Sequence, residues 1–157
     1  MNSRLFNRIA KFVIFMMALT GAAQMPIFKR YYIADLPGLG WLADFYLTNK
    51  LHYIFGAVIL FMAFYLFTDF ILTGKNKFEL STSGLVRAVL YGLVLGSGVL
   101  RVVKSLPSVT FDPVTVMLID WVHLGLAMLL GVVAMVVFFS GRQPYLVKRK
   151  VYGRTRF

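Results

Sequence analysis

The sequence holds two histidines, His52 and His123, and each falls inside a long apolar run. An ionisable side chain is costly in hydrocarbon and is retained where something uses it. An imidazole offers acid–base chemistry, metal ligation or a hydrogen bond between helices. The 157 residues contain no cysteine, which removes disulfides, thiolate zinc sites, iron–sulfur clusters and thiol nucleophiles together. There is no Ser/His/Asp order with workable geometry, no glycine motif for phosphates or dinucleotides, and no zinc-peptidase type histidine helix. Two imidazoles therefore remain, and they have three uses: axial ligands of one haem iron, a direct zinc or copper site, or metal-free hydrogen bonds across helices. The second is the weakest, because two His without a thiolate or carboxylate at the same depth do not close a zinc site.

The elements that must position them are set by composition. Hydrophobic residues make up 59% of the chain and charged residues only 15%, more apolar than a soluble domain of this length can hide. The solvent is lipid. Four apolar segments, 12–28, 51–72, 85–103 and 115–139, approach the ~20 residues needed to cross the hydrocarbon layer. The third has a short central run between Arg87 and Arg101, which spans if both arginines snorkel to the interfaces. The first also has the look of a signal peptide, with a basic start, an apolar middle and Gly21-Ala22-Ala23, but is taken as a membrane span. The expected fold is an all-α integral membrane protein, a single four-helix bundle with no internal repeat.

Charge is one-sided, 17 Lys+Arg against 6 Asp+Glu, and clusters at segment ends with no continuous basic face, which argues against a nucleic-acid partner. With the N-terminus inside, the inner side holds Arg4, Arg8, Lys11, Lys75, Lys77, Arg87, Arg142, Lys148, Arg149, Lys150, Arg154 and Arg156, and the outer side Lys29, Arg30, Lys50, Arg101 and Lys104. Twelve against five predicts N-in and C-in, in a bacterial inner membrane. The longest outer connection, 29–50, carries Tyr31, Tyr32, Trp41 and Tyr46 around Leu36-Pro37-Gly38, a turn-rich segment at the aromatic belt. The basic tail 142–157 is expected to lie against anionic headgroups or a partner.

In this topology His52 opens a helix that descends from the outer face and His123 lies in the early part of the other descending helix, at heights differing by roughly 6 Å. One iron could sit between them. A porphyrin needs small side chains where it lies on a helix, and His52 is followed on its face by Gly56 and Ala63, His123 by Ala127, Gly131 and Ala134. The third helix adds Gly92, Gly96 and Gly98, although such residues also serve close helix packing. Arg101 and Lys104 stand where haem propionates would need cations, with interfacial snorkelling as the alternative, and Asp120 could orient an imidazole, bind a partner or be merely interfacial.

The pattern resembles the cytochrome b, or gamma, subunit of membrane-bound formate dehydrogenases and the related nickel–iron hydrogenase cytochromes. That family carries Leu-His-x-x-x-Gly opening its second helix, present here as Leu51-His52-Tyr53-Ile54-Phe55-Gly56, and a first fourth-helix histidine matched by His123. Its Arg-x-x-His-Trp in the first helix is replaced by Arg8-Ile9-Ala10-Lys11-Phe12, and its second fourth-helix histidine by Val137. The retained pair corresponds to the outer haem and the missing pair to the inner one. The resemblance thus implies a single haem b held by His52 and His123, an iron–sulfur partner subunit with a catalytic oxidoreductase subunit behind it, and a membrane quinone as the other electron terminus. The partner is expected on 29–44 and 104–112. Where the family has its inner haem, a quinone headgroup is expected among Lys11, Asp69, Arg87 and Tyr91, the alternative being an ion pair of Asp69 with Lys11 or Arg87 that closes the helix ends. A haem-free membrane anchor or transport subunit is the competing function.

Overall fold

A computed structural model describes residues 3–25, 35–141 and 144–148. Lys29, Arg30, Tyr31, Tyr32, Arg142 and the basic residues from Arg149 onward lie outside the described residues. Four long helices dominate: α1 (Ser3–Ala23), α2 (Phe45–Asp69), α3 (Thr82–Val103) and α4 (Pro113–Phe139). All four are long and apolar enough to cross a membrane. The protein is a multi-pass, all-α membrane protein. Only five hydrophobic side chains among the described residues are buried, Val13, Ala23, Leu42, Met62 and Leu90, whereas Phe61, Trp121, Phe138 and Phe139 are mostly exposed. Such outward apolar surface is stable only when lipid covers it.

Helix boundaries differ from the sequence expectation where capping and snorkelling decide them. α1 begins at Ser3 rather than residue 12, because Arg4, Arg8 and Lys11 fall one turn apart on a helix whose long basic side chains can reach water. It ends at Ala23, ahead of Pro26, which disfavours helical backbone in the residue before it. α2 starts at Phe45 rather than 51, since the Asp44 carboxylate accepts from Leu47 N at 3.0 Å and caps the first turn. At its far end α2 widens into a π turn, Phe70–Gly74, closed by Lys75 N donating to Phe70 O at 2.8 Å. Ser81 caps α3 by accepting from Gly84 N at 2.9 Å.

Asp112 caps α4, accepting from Val114 N and Thr115 N at 3.1 and 3.0 Å, with Pro113 following in the first turn. Hydrogen bonds from the Thr115 hydroxyl, and then from backbone amides, hold the Asp112 carboxyl below its ordinary value. A depressed carboxyl pKa contributes stability above the unfolded value and loses it as pH falls through the folded value. Melting of the purified protein should therefore lose a component as pH drops below about 3.9. Asp112→Ala should lower the melting temperature at neutral pH and remove that component; unchanged pH dependence in the variant would reject the cap.

The chain divides into two compact units, residues 1–68 and 69–157. In the first, α1 and α2 run antiparallel, with Phe6 against Tyr65 (ring centroids 5.8 Å) and Phe12 edge-on to Phe55 (6.0 Å). A short 3₁₀ helix, Gly40–Ala43, packs on α1 and buries Leu42. In the second, α3 and α4 form the other antiparallel pair, and β1 (Phe78–Leu80) pairs antiparallel with β2 (Leu146–Lys148), Leu80 opposite Leu146. The start of the basic tail is thus folded back onto the foot of α3.

Candidate functional site

Each unit presents its histidine in the same way. On α2, His52 Nδ1 lies 3.0 Å from Thr20 Oγ1 of α1. The Thr20 hydroxyl is fully buried and donates its proton to Met16 O at 2.7 Å. A hydroxyl has one proton, so toward the imidazole it can only accept. With the hydroxyl proton on Met16 O, Nδ1 carries the ring proton and Nε2 the lone pair. The next residue, Gly21, lies flat against the ring: a Cβ there would stand 3.2 Å from His52 Cε1.

The second unit repeats this with different residues. His123 Nδ1 on α4 lies 3.0 Å from Ser97 Oγ on α3, and Ser97 donates to Val94 O at 2.9 Å. The same proton count sets His123 as the Nδ1–H tautomer. A Cβ at Gly98, the residue after Ser97, would stand 3.3 Å from His123 Cε1. A hydroxyl–glycine pair late in one helix facing a histidine early in the next thus occurs twice. This local duplication was not visible as a sequence repeat, because its copies share only a Thr/Ser-Gly dipeptide and one His.

The other expected site residues separate. Gly56 sits within van der Waals reach of Met17, 3.9 Å from a notional Cβ, so the small residue here serves α1–α2 contact. Gly96 has nothing within 4 Å of a Cβ and Ala127 is exposed; Gly98 is the α3 glycine that meets the imidazole. Arg101 and Lys104 converge on Asp120, Arg101 Nε at 2.9 Å from Oδ1 and Lys104 Nζ at 2.6 Å from Oδ2. Asp120 lies one helical turn before His123 and Arg101 one turn after Ser97, so the ion cluster stacks directly beyond the imidazole. Two cations share one carboxylate, and the cluster keeps one net positive charge. The Asp120 side chain faces these cations, and the imidazole is oriented by Ser97 instead.

At the opposite end of α3, Arg87 is only 5% exposed; its Nε donates to Ser83 O at 3.0 Å and its guanidinium lies 3.5 Å from the centre of the Tyr145 ring. Tyr91 lies near the Tyr145 side chain. Arg87 and Tyr91 are therefore brought together, through a tail residue that the sequence did not single out. Asp69 is exposed at the end of α2, and Lys11 belongs to the other unit.

Among the described residues the fold and these contacts define a membrane protein with four spans and two imidazoles, each held against the hydroxyl of a neighbouring helix. Compared with protein-family models, curated proteins and solved structures, the chain matches none. Its function has to be argued from this geometry.

Proposed function

We propose that the chain is the membrane-anchoring b-type cytochrome subunit of a respiratory oxidoreductase, with His52 and His123 as the axial ligands of one haem b through their Nε2 atoms. The observation that carries the reading is the paired hydroxyl contact at Nδ1 in each unit, which suits the tautomer whose Nε2 can donate to iron. Metal-bound histidines characteristically give their other N–H to a carbonyl, carboxylate or similar acceptor, which sets ring orientation and raises ligand basicity. Gly21 and Gly98 add room at each ring edge, and the net positive Arg101–Asp120–Lys104 cluster suits a propionate. Bound haem supplies reversible one-electron chemistry, and the protein sets its potential through ligands, hydrogen bonds and burial.

In this reading the chain lies N-in and C-in in a bacterial inner membrane. An iron–sulfur subunit, itself joined to a catalytic subunit, docks on the connections 29–44 and 104–112 and exchanges electrons with the membrane quinone pool. The quinone headgroup binds at the Arg87–Tyr91 end of α3, with Asp69 as proton relay. The two histidine bonds would equally serve a haem-free anchor, in which the imidazoles only tie helices together. Absorption separates the readings: protein purified from haem-replete cells should show a Soret band and a b-type pyridine haemochrome at about one haem per chain. Protein that is colourless under those conditions, and stays so after haem is added, overturns the cytochrome reading.

A further inference from the structure

The β1–β2 ribbon has no part in that proposal, and its position is unusual for so small a sheet. Two strands of three residues are marginal in water by themselves. This pair is tied to the foot of α3 by Ser81 N donating to Tyr145 O (3.0 Å), Ser81 Oγ donating to Pro144 O (2.7 Å), and Arg87 against the Tyr145 ring. Only seven residues separate the end of one membrane span at Gly74 from the start of the next at Thr82, so the ribbon is held within a few residues of the hydrocarbon edge. Its own surface is mixed. Leu80, Leu146 and Val147 are each about 40% exposed, and Lys75 and Lys77, in the turn leading into β1, are exposed. Salt bridges join Asp120 of α4 to Arg101 and Lys104, at the opposite end of α3. Exposed aliphatic side chains beside exposed ammonium groups, fixed at the boundary of a span, match the headgroup layer, where the former reach acyl chains and the latter reach phosphate.

We propose that the ribbon is a foot that binds anionic phospholipid, with Lys75 and Lys77 contacting headgroup phosphate and Leu80, Leu146 and Val147 seated in the interface. Each basic residue near an anionic surface favours binding by roughly fivefold, so the pair should be worth about 30-fold.

The test uses full-length protein in detergent, titrated with phosphatidylglycerol or phosphatidylcholine, with bound lipid counted by native mass spectrometry. Phosphatidylglycerol should bind more tightly. K75Q/K77Q should weaken it by about 30-fold while leaving phosphatidylcholine unchanged, and the preference should shrink at high salt. Inorganic phosphate should not displace the lipid. Equal affinity for the two lipids would overturn the proposal. So would a preference that survives K75Q/K77Q but disappears in R149Q/K150Q, or displacement of the lipid by inorganic phosphate at matched concentration.

Discussion

Replacing either His52 or His123 with Ala is expected to abolish the low-spin bis-imidazole haem spectrum, the largest functional effect of any single substitution in this chain. The expectation rests on the proposed cytochrome function and on the hydroxyl relays: Thr20 and Ser97 each donate to a carbonyl of their own helix and lie 3.0 Å from an imidazole Nδ1, an arrangement that suits ligation through Nε2. A graded effect should accompany the complete one. Thr20→Val and Ser97→Ala keep the helices but remove the acceptor, and loss of such a partner costs about 10–100-fold in metal-site affinity. The remaining bound haem should show a raised midpoint potential, because a less basic imidazole stabilises ferric iron less. Thr20→Ser restores the acceptor and should restore both values. A histidine that only ties helices would lose thermal stability in these variants with no spectroscopic change to follow. Normal low-spin spectra in both histidine variants would show that the ligands lie elsewhere.

Gly84→Ala is expected to release the tail from α3. A Cβ at Gly84 would stand 2.2 Å from the Tyr145 carbonyl oxygen, which is backbone and cannot swing aside as a side-chain tip would. Relief of the clash must move Tyr145, and with it go the bonds from Ser81 N and Ser81 Oγ and the cover over the Arg87 guanidinium. Overpacking of this kind typically costs about 1–3 kcal/mol. Limited trypsin digestion should cut the tail of the variant markedly faster than that of the wild type, and its melting temperature should fall. Gly92→Ala on the same helix, where nothing lies within 4 Å of a Cβ, is the control and should leave both unchanged. Equal digestion rates for Gly84→Ala and wild type would mean that the tail is not held at this point.

Much of this protein was legible in its residues. Four spans follow from apolar runs of near-membrane length, because the requirement that lipid-exposed backbone bond internally turns any such run into a helix. The two histidines stood out as ionisable groups inside those runs, and Arg87, Tyr91, Arg101 and Lys104 as polar positions on the third helix. Their partners were another matter. Nothing in local sequence says that Lys104 and Arg101 meet on Asp120, that Gly98 rather than Gly96 lies against His123, or that Thr20 and Ser97 hold the imidazoles. Those facts depend on the rotation of one helix against its neighbour, which a one-residue change in register would alter by about 100°. Tyr145 lay further out of reach: it sits in a basic tail that composition assigns to headgroups or a partner, and only the pairing of β2 with β1 brings its ring over Arg87. Sequence alone determined which segments enter the membrane and which ionisable groups go with them, since burial in lipid is a property of each segment's own side chains. Tertiary structure decided which hydroxyl each histidine meets and which residues close on Arg87, since hydrogen bonds between helices form only at the register that packing sets.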